Sequence, residues 1–351
     1  MTRRRFQRAA LIVGTGVLAL AAGCSGGPGT AAGGVELQDV TAAVVPAIDS
    51  AGFFVALHEG LFKRAGLNVT FVPATSSETV IDEQQLSKPG APDEVDISCG
   101  NYVSYIEAQE AWNRGQRPSA RHPGILAADL DIFAEASLME PTTVALYTMP
   151  GSPITTLADL EGKTIAINAP GNILYLLVAS VLAEHGIPLS RVHFVTRYAF
   201  PAMAAALRAG KADAAALPEP FASVAQSQYG AVLLADLDQG ATTAFPIEGY
   251  AVTKAWAKAH PKTLAAFYRA LEQGQEIADT DRSALESAME DLPPGLAVSP
   301  ETAAVMAVPD FPVSDGPAGS VDPVHLQRVA DVMEQFLAFP SFNVRSVLMG
   351  G

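Results

Sequence analysis

Apolar runs of strand length alternate with stretches of helical periodicity along most of the chain. Residues 41–45 read as a strand, and 53–62 as a helix whose apolar positions recur at spacings of three and four. Residues 69–72 and 95–99 read as further strands, and 102–112 as the next helix. Residues 143–147 form a strand entering the turn Pro150-Gly151-Ser152-Pro153. The alternation then resumes. Residues 163–168, 192–195 and 212–217 read as strands; 173–185 and 201–209 read as helices stopped by Gly186 and Gly210. Short glycine-rich joins between alternating strands and helices predict α/β layers with mainly parallel sheets. Residues 281–351 read as helical, interrupted by prolines between Pro293 and Pro323, and no tandem repeat is visible.

The N-terminus changes the picture from a plain globular chain to an exported one. Arg3, Arg4, Arg5 and Arg8 precede an apolar stretch over 9–22, which is too short to cross a hydrocarbon core of about 20 residues but suits a signal peptide. It ends in Leu20-Ala21-Ala22-Gly23-Cys24, which resembles a bacterial lipobox and makes Cys24 the expected lipidation site. An ordinary secretory signal with a chance cysteine is the alternative. Residues 2–8 also resemble a twin-arginine export signal, although a plain basic leader reads the same way. Residues 24–35 have the composition of a flexible tether.

Removing 1–23 takes away four arginines and no acid, leaving 18 basic against 37 acidic residues and a formal charge of −19. Such a surface argues against nucleic acid or anionic lipid as partner, so membrane contact is expected only through the lipid anchor. About 315 residues then remain for folding, enough for two lobes. Cys99 is the one cysteine beyond the lipobox, which excludes an internal disulfide, and its place at the end of an apolar run predicts a buried thiol.

Several segments together resemble one family. They are residues 56–69 (Ala-Leu-His-Glu-Gly-Leu-Phe-Lys-Arg-Ala-Gly-Leu-Asn-Val), 157–166 with its Asp-Leu-Glu-Gly-Lys turn, and 203–214 followed by Glu219-Pro220-Phe221. Gly249-Tyr250-Ala251-Val252 and His260-Pro261 fit the later part of the pattern. In this order they resemble the sulfonate, nitrate, taurine and thiamine-precursor binding proteins over about 40–275. The resemblance implies a type II periplasmic-binding-protein fold, two α/β lobes joined by two crossovers with ligand between them. The expected division is 36–151 and 244–351 for the first lobe and 152–243 for the second. The first crossover is expected after 143–147, and the return near 245–250.

Open α/β sheets bind ligands beyond the carboxyl ends of their strands, where helix N-termini offer unpaired N–H groups. Post-strand loops therefore supply the candidate binding residues: Asp49, Ser50 and Phe53; Gly100, Asn101 and Tyr102; Pro170, Gly171 and Asn172; then Tyr198 and Glu219. Plain helix capping competes for the Ser and Asn positions, and core packing for the aromatics, Phe200 among them. Glu219 has a second reading as a brace for the hinge. With acids but no arginine among the candidates, an amine or heterocycle suits the site better than an inorganic anion. Taurine-like zwitterions and thiamine-like pyrimidines are the expected classes.

No catalytic signature emerges. Gly162-Lys163-Thr164 lacks the earlier glycine of a phosphate loop, position 157 being Leu, and precedes a strand. The six histidines lack metal-ligand spacing, and no cofactor or metal is expected. The reading is thus a monomeric, lipid-anchored solute-binding protein delivering ligand to the permease and ATPase of an ABC importer. A sensor presenting its closed form to a membrane receptor is the alternative. A thiamine-pyrimidine-synthase-like enzyme is remote, because the cysteine-rich motif of those relatives is missing.

Overall fold

The computed structural model describes residues 34–86, 91, 94–117, 126–313 and 321–349. The predicted signal, Cys24 and all of the tether except Gly34 and Val35 lie outside the described residues. The ten strands in this range form two five-stranded sheets. They are β1 (Asp39–Val44), β2 (Asn68–Pro73), β3 (Ile97–Asn101), β4 (Leu130–Leu138), β5 (Val144–Thr148), β6 (Thr164–Ala166), β7 (His193–Val195), β8 (Ala214–Pro218), β9 (Val232–Asp236) and β10 (Pro246–Thr253). The first sheet runs β2-β1-β3-β10-β4 and the second β7-β6-β8-β5-β9. The fold is the two-lobed α/β arrangement that the resemblance implied, with mixed sheets flanked by helices.

The sheets are less parallel than the alternation suggested. β1 pairs in parallel with β2 and β3, and β6 with β7 and β8. β10 is antiparallel to β3 and β4, and β5 to β8 and β9. The reversed strands, β5 and β10, are each the first strand after a crossover.

That topology moves the crossovers. β5, assigned from sequence to the first lobe, pairs within the second sheet, so the chain crosses before it, over 139–143. The Pro-Gly turn at 150–153 was the stronger punctuation, but it only reverses the chain beyond β5. The return spans 237–245, and residues 246–250 already belong to β10. The crossovers run side by side: Met139 N donates to Phe245 O at 2.8 Å, and Leu237 N to Val144 O at 3.2 Å.

Packing explains the first lobe's helices. The predicted helix over 53–62 is two helices, Ala51–His58 and Leu61–Arg64, parted at Gly60, whose φ of 68° is left-handed. Phe53, Phe54, Phe62, Phe71 and Phe267 form one aromatic cluster, with Phe62 and Phe267 centroids 4.6 Å apart. Phe267 comes from the helix Pro261–Thr280, which lies against Ala51–His58 because Gly52 and Gly274 leave room for the backbones to meet. Within 281–349 the helices are Arg282–Glu290, Pro300–Ala303 and Pro323–Leu337, and the last packs on the second lobe's helix Ile173–Glu184. No helix among the described residues is long and apolar enough to cross a membrane.

Candidate functional site: a cleft between the two sheets

The carboxyl ends of β1, β3, β6 and β8 converge on one small cavity of about 20 Å³. That is room for about one water in this arrangement of the lobes, so a larger ligand enters only when they part. The first lobe supplies Val45, Ala47, Asp49, Ser77, Asn101, Ile247 and Glu248. Across from them stand Val144, Asn168, Ile173, Leu174, Leu177, Phe200 and Pro218 of the second lobe. Apolar walls with a few converging polar groups are the usual make-up of a small-molecule site. Phe200 is braced from behind by Phe221, the rings stacked at 5.4 Å. The lobes also touch beside the cavity, where Ile48 N donates to Glu219 O at 2.9 Å.

Two buried carboxyls form the polar floor. Asp49 sits in the short turn Ile48–Ser50 after β1, and Ser137 Oγ on β4 donates to its Oδ1 at 3.1 Å. Glu248 opens β10, and its bonds all fall on Oε2: Ser50 Oγ at 3.1 Å and Cys99 Sγ at 3.7 Å. Burial pushes both carboxyls up, Asp49 to about 6 and Glu248 to about 8, and the Asp49 charge adds to the rise at Glu248. Ser50 Oγ also lies 3.2 Å from Val45 O. Its single proton serves one acceptor at a time. When Glu248 is protonated, its O–H can donate to Ser50, leaving the serine proton for Val45 O; when Glu248 ionises, Ser50 must turn to it. Burial, followed by the Glu248 charge, pushes the Cys99 thiol well up, so it acts here as a weak hydrogen-bonding group and not as a thiolate.

The candidate residues divide into lining, supporting and remote groups. Asp49 and Asn101 line the cavity. Asn101 also caps the helix Tyr102–Asn113, its Oδ1 accepting from Ser104 N at 2.9 Å, so capping and lining coexist. Asn172 caps the helix Ile173–Glu184 and stays behind the wall, where its Nδ2 donates to Asn168 Oδ1 at 2.7 Å and so orients a lining residue. Ser50 likewise stands behind Glu248. Gly100 makes room for Ser77: a Cβ there would lie 2.9 Å from Ser77 Cβ. Ser77 Oγ in turn accepts from Asn101 N and Nδ2 at 2.9 and 2.8 Å. Gly171 faces the first lobe across the mouth, with its Cβ position 3.7 Å from Glu107 Oε1.

Five expectations change. Phe53 belongs to the aromatic cluster, because the helix after β1 turns its first aromatics into the core. Tyr102 packs its ring on Gly249, which holds the phenol beneath β10 with no hydrogen-bond partner and away from the cavity lining. Pro170 is exposed at the loop tip. Tyr198 is half-buried under the Arg197 guanidinium, 5.1 Å from its ring centre. The Glu219 carboxylate accepts from Ser223 N at 3.0 Å, Ser223 Oγ at 2.8 Å and Ala307 N at 3.3 Å. It thus caps the helix Phe221–Tyr229 and ties the second lobe to 300–307, which is the bracing role. The groove it lines, with Thr142, Tyr147 and Ser223, is separate from the cavity.

Glu248, Ser77 and Asn168 were not among the candidates. Glu248 carried one legible signal, a lone acid inside an otherwise apolar strand. Ser77 and Asn168 carried none, since each depends on which loop ends meet.

A protein-family model, NMT1/THI5 like, matches residues 123–281. A search of curated protein sequences finds no significant match. Among solved structures, the periplasmic aliphatic sulphonate binding protein SsuA of Escherichia coli superposes with a TM-score of 0.66 at 19% identity, covering 89% of this chain and 98% of that one. The periplasmic nitrate-binding protein NrtA of Synechocystis PCC 6803 gives 0.63 at 14%, covering 83% and 75%. A desulfurization enzyme, DSZB, gives 0.59 at 16%, covering 89% and 96%. At these identities the likeness shows the fold, which hosts capture and catalysis alike. The chain has the periplasmic-binding-protein fold and carries an NMT1/THI5 like segment across its first crossover and second lobe.

Proposed function

We propose that this protein is an extracytoplasmic solute-binding lipoprotein, anchored through Cys24, that delivers a small organic ligand to an ABC importer. Its partners on this reading are the ligand, the permease and the ATPase, and it works as a monomer. The observation that carries the reading is the cavity itself, walled by both lobes at the carboxyl ends of their strands. A ligand held there touches both lobes and favours their closed arrangement, whereas one touching a single lobe would shift nothing. The permease would then recognise the closed form. The acidic floor and the missing basic residue along the cavity wall favour a ligand with an amine or heterocycle, of the taurine-like or thiamine-precursor-like classes, over a simple anion.

Low-micromolar or tighter capture requires about 8 kcal/mol. Native mass spectrometry of the full chain purified without dialysis is expected to show a retained small molecule. Small-angle scattering should show compaction when that molecule is restored to stripped protein. A protein that retains nothing, and neither compacts nor gains thermal stability with any small organic solute, does not perform this function. The anchor has its own test: fatty-acid labelling in a bacterial host is expected for the full chain and lost in Cys24→Ala.

A further inference from the structure

We infer that capture in this cleft expels a proton: the ligand carries a cationic N–H group on an apolar body, and that group replaces the proton held on the Glu248 carboxyl in the cavity it shares with Asp49. This rests on the capture reading and narrows its ligand.

The argument starts from what the cavity holds. Among the described residues, Asp49 and Glu248 are the charged members of its lining, 3% and 6% exposed, and no Lys, Arg or His lines it. The hydrogen bonds to Glu248 are confined to Oε2, so Oε1 has no partner among the described residues. Asp49 receives one side-chain hydrogen bond, on Oδ1. Two carboxylates in an apolar pocket cannot both ionise without a counter-charge. Empty, the site therefore holds a proton at neutral pH, in keeping with burial having raised both groups. An anionic ligand would face the remaining charge. A cation supplies what the protein omits, and an N–H group can donate to the open oxygen.

The neighbouring ionisable groups do not supply that charge. Cys99 on β3 and Tyr250 on β10 face Glu248 and stay neutral, their protons held by burial. Tyr102 and Tyr105, on the helix above, do the same. Glu135, near Ser137 on β4, is already paired with His325 at 3.0 Å. At the mouth, burial followed by the Glu78 charge pushes the Glu107 carboxyl up to about 7. On the second lobe, Glu219 lies in the separate groove with its own donors. Arg197, on the loop that leads to Phe200, lies over the Tyr198 ring and outside the cavity lining, so among the described residues the lining itself carries no cation.

The test uses probes that keep their charge, benzamidinium and piperidinium against benzenesulfonate and ethanesulfonate, titrated calorimetrically into the full chain. Runs in phosphate and in Tris count protons through the buffers' different ionisation heats. The expected result is binding of a cation with about one proton released, tightening by up to about tenfold per pH unit between pH 6 and pH 8. Glu248→Gln keeps the Ser50 contact but cannot ionise. It is expected to lose that pH dependence and to weaken cation binding at least about tenfold at pH 8. Carbon-13 titration of the carboxyls, which needs no ligand, should show one of them ionising well above the ordinary range.

Tight sulfonate binding without cation binding would overturn this inference while leaving solute capture standing. So would cation binding with no proton released, both carboxyls titrating below about pH 5, or silence from every probe. Capture itself falls only on the retained-solute and compaction experiments.

Discussion

At the scale of single residues, the cleft stores its chemistry in Glu248. Burial, followed by the Asp49 charge, pushes its carboxyl up to about 8, against an ordinary value of 4.5. A raised acid stabilises the fold fully below its unfolded value and loses that contribution as pH climbs through the folded one. The ligand-free protein is therefore expected to lose melting temperature between about pH 5 and pH 8. Glu248→Gln should flatten that slope, as scanning calorimetry across the range would show; an unchanged slope would place the titrating group elsewhere. The sequence made two of the five polar lining residues legible. Asp49 and Asn101 could be named because each follows an apolar strand and opens a helix, a position with one physical meaning. Glu248 sits at the start of a strand, and its neighbour across the floor comes from 199 residues earlier in the chain, so no local pattern joins them. Phe53 and Tyr102 misled for the converse reason: periodicity marks an aromatic as buried without saying which side of the sheet buries it.

At the scale of elements, the helices after β1 and before Arg282 depend on a close backbone approach. A Cβ on Gly274 would collide with the Gly52 carbonyl and with Ala56. Overpacking of this kind costs about 1–3 kcal/mol, so Gly274→Ala should lower the denaturant midpoint with little change in slope. Phe267, at the centre of the aromatic cluster, should cost more when truncated, about 3–5 kcal/mol for Phe267→Ala. Wild-type stability in both variants would show that the two helices are not held by this packing. The same interface shows where element reading stopped. The helix Pro261–Thr280 and strands β4, β9 and β10 are absent from the sequence-derived plan. β9 is a solvent-facing edge strand with exposed Val232 and Leu233, so it lacks a clean apolar run. β4 and β10 carry buried acids, Glu135 and Glu248, that interrupt theirs. Strands with unbroken apolar runs, such as β8, were found, because burial on both faces leaves a continuous signal.

At the scale of the whole molecule, two crossovers must bend together for the cleft to open, and Arg328 holds one of them. Its guanidinium, on the helix Pro323–Leu337, donates to the carbonyls of Ala241 and Ala244 at 3.0 Å each and to that of Thr243, all within the return crossover. The same group lies 5.4 Å over the Phe245 ring. Its helix belongs with the first lobe's helices yet packs on Ile173–Glu184, whose N-terminal turns line the cavity. Arg328 thus links the hinge, the C-terminal helix and the ligand wall, which gives 323–337 a role its sequence did not announce. Arg328→Ala should cost about 1–2 kcal/mol in stability, since three carbonyls lose a charged donor at a half-exposed site. Amide exchange should quicken across 237–245 while the β1–β3 core stays protected, because local opening follows the local bonds. Arg328→Lys should not restore protection, as a point ammonium cannot reach three carbonyls in the fork geometry of a guanidinium. If exchange in the alanine variant rises evenly over both lobes, the arginine is an ordinary stabilising residue. A rise confined to the crossover identifies it as the clamp on the hinge.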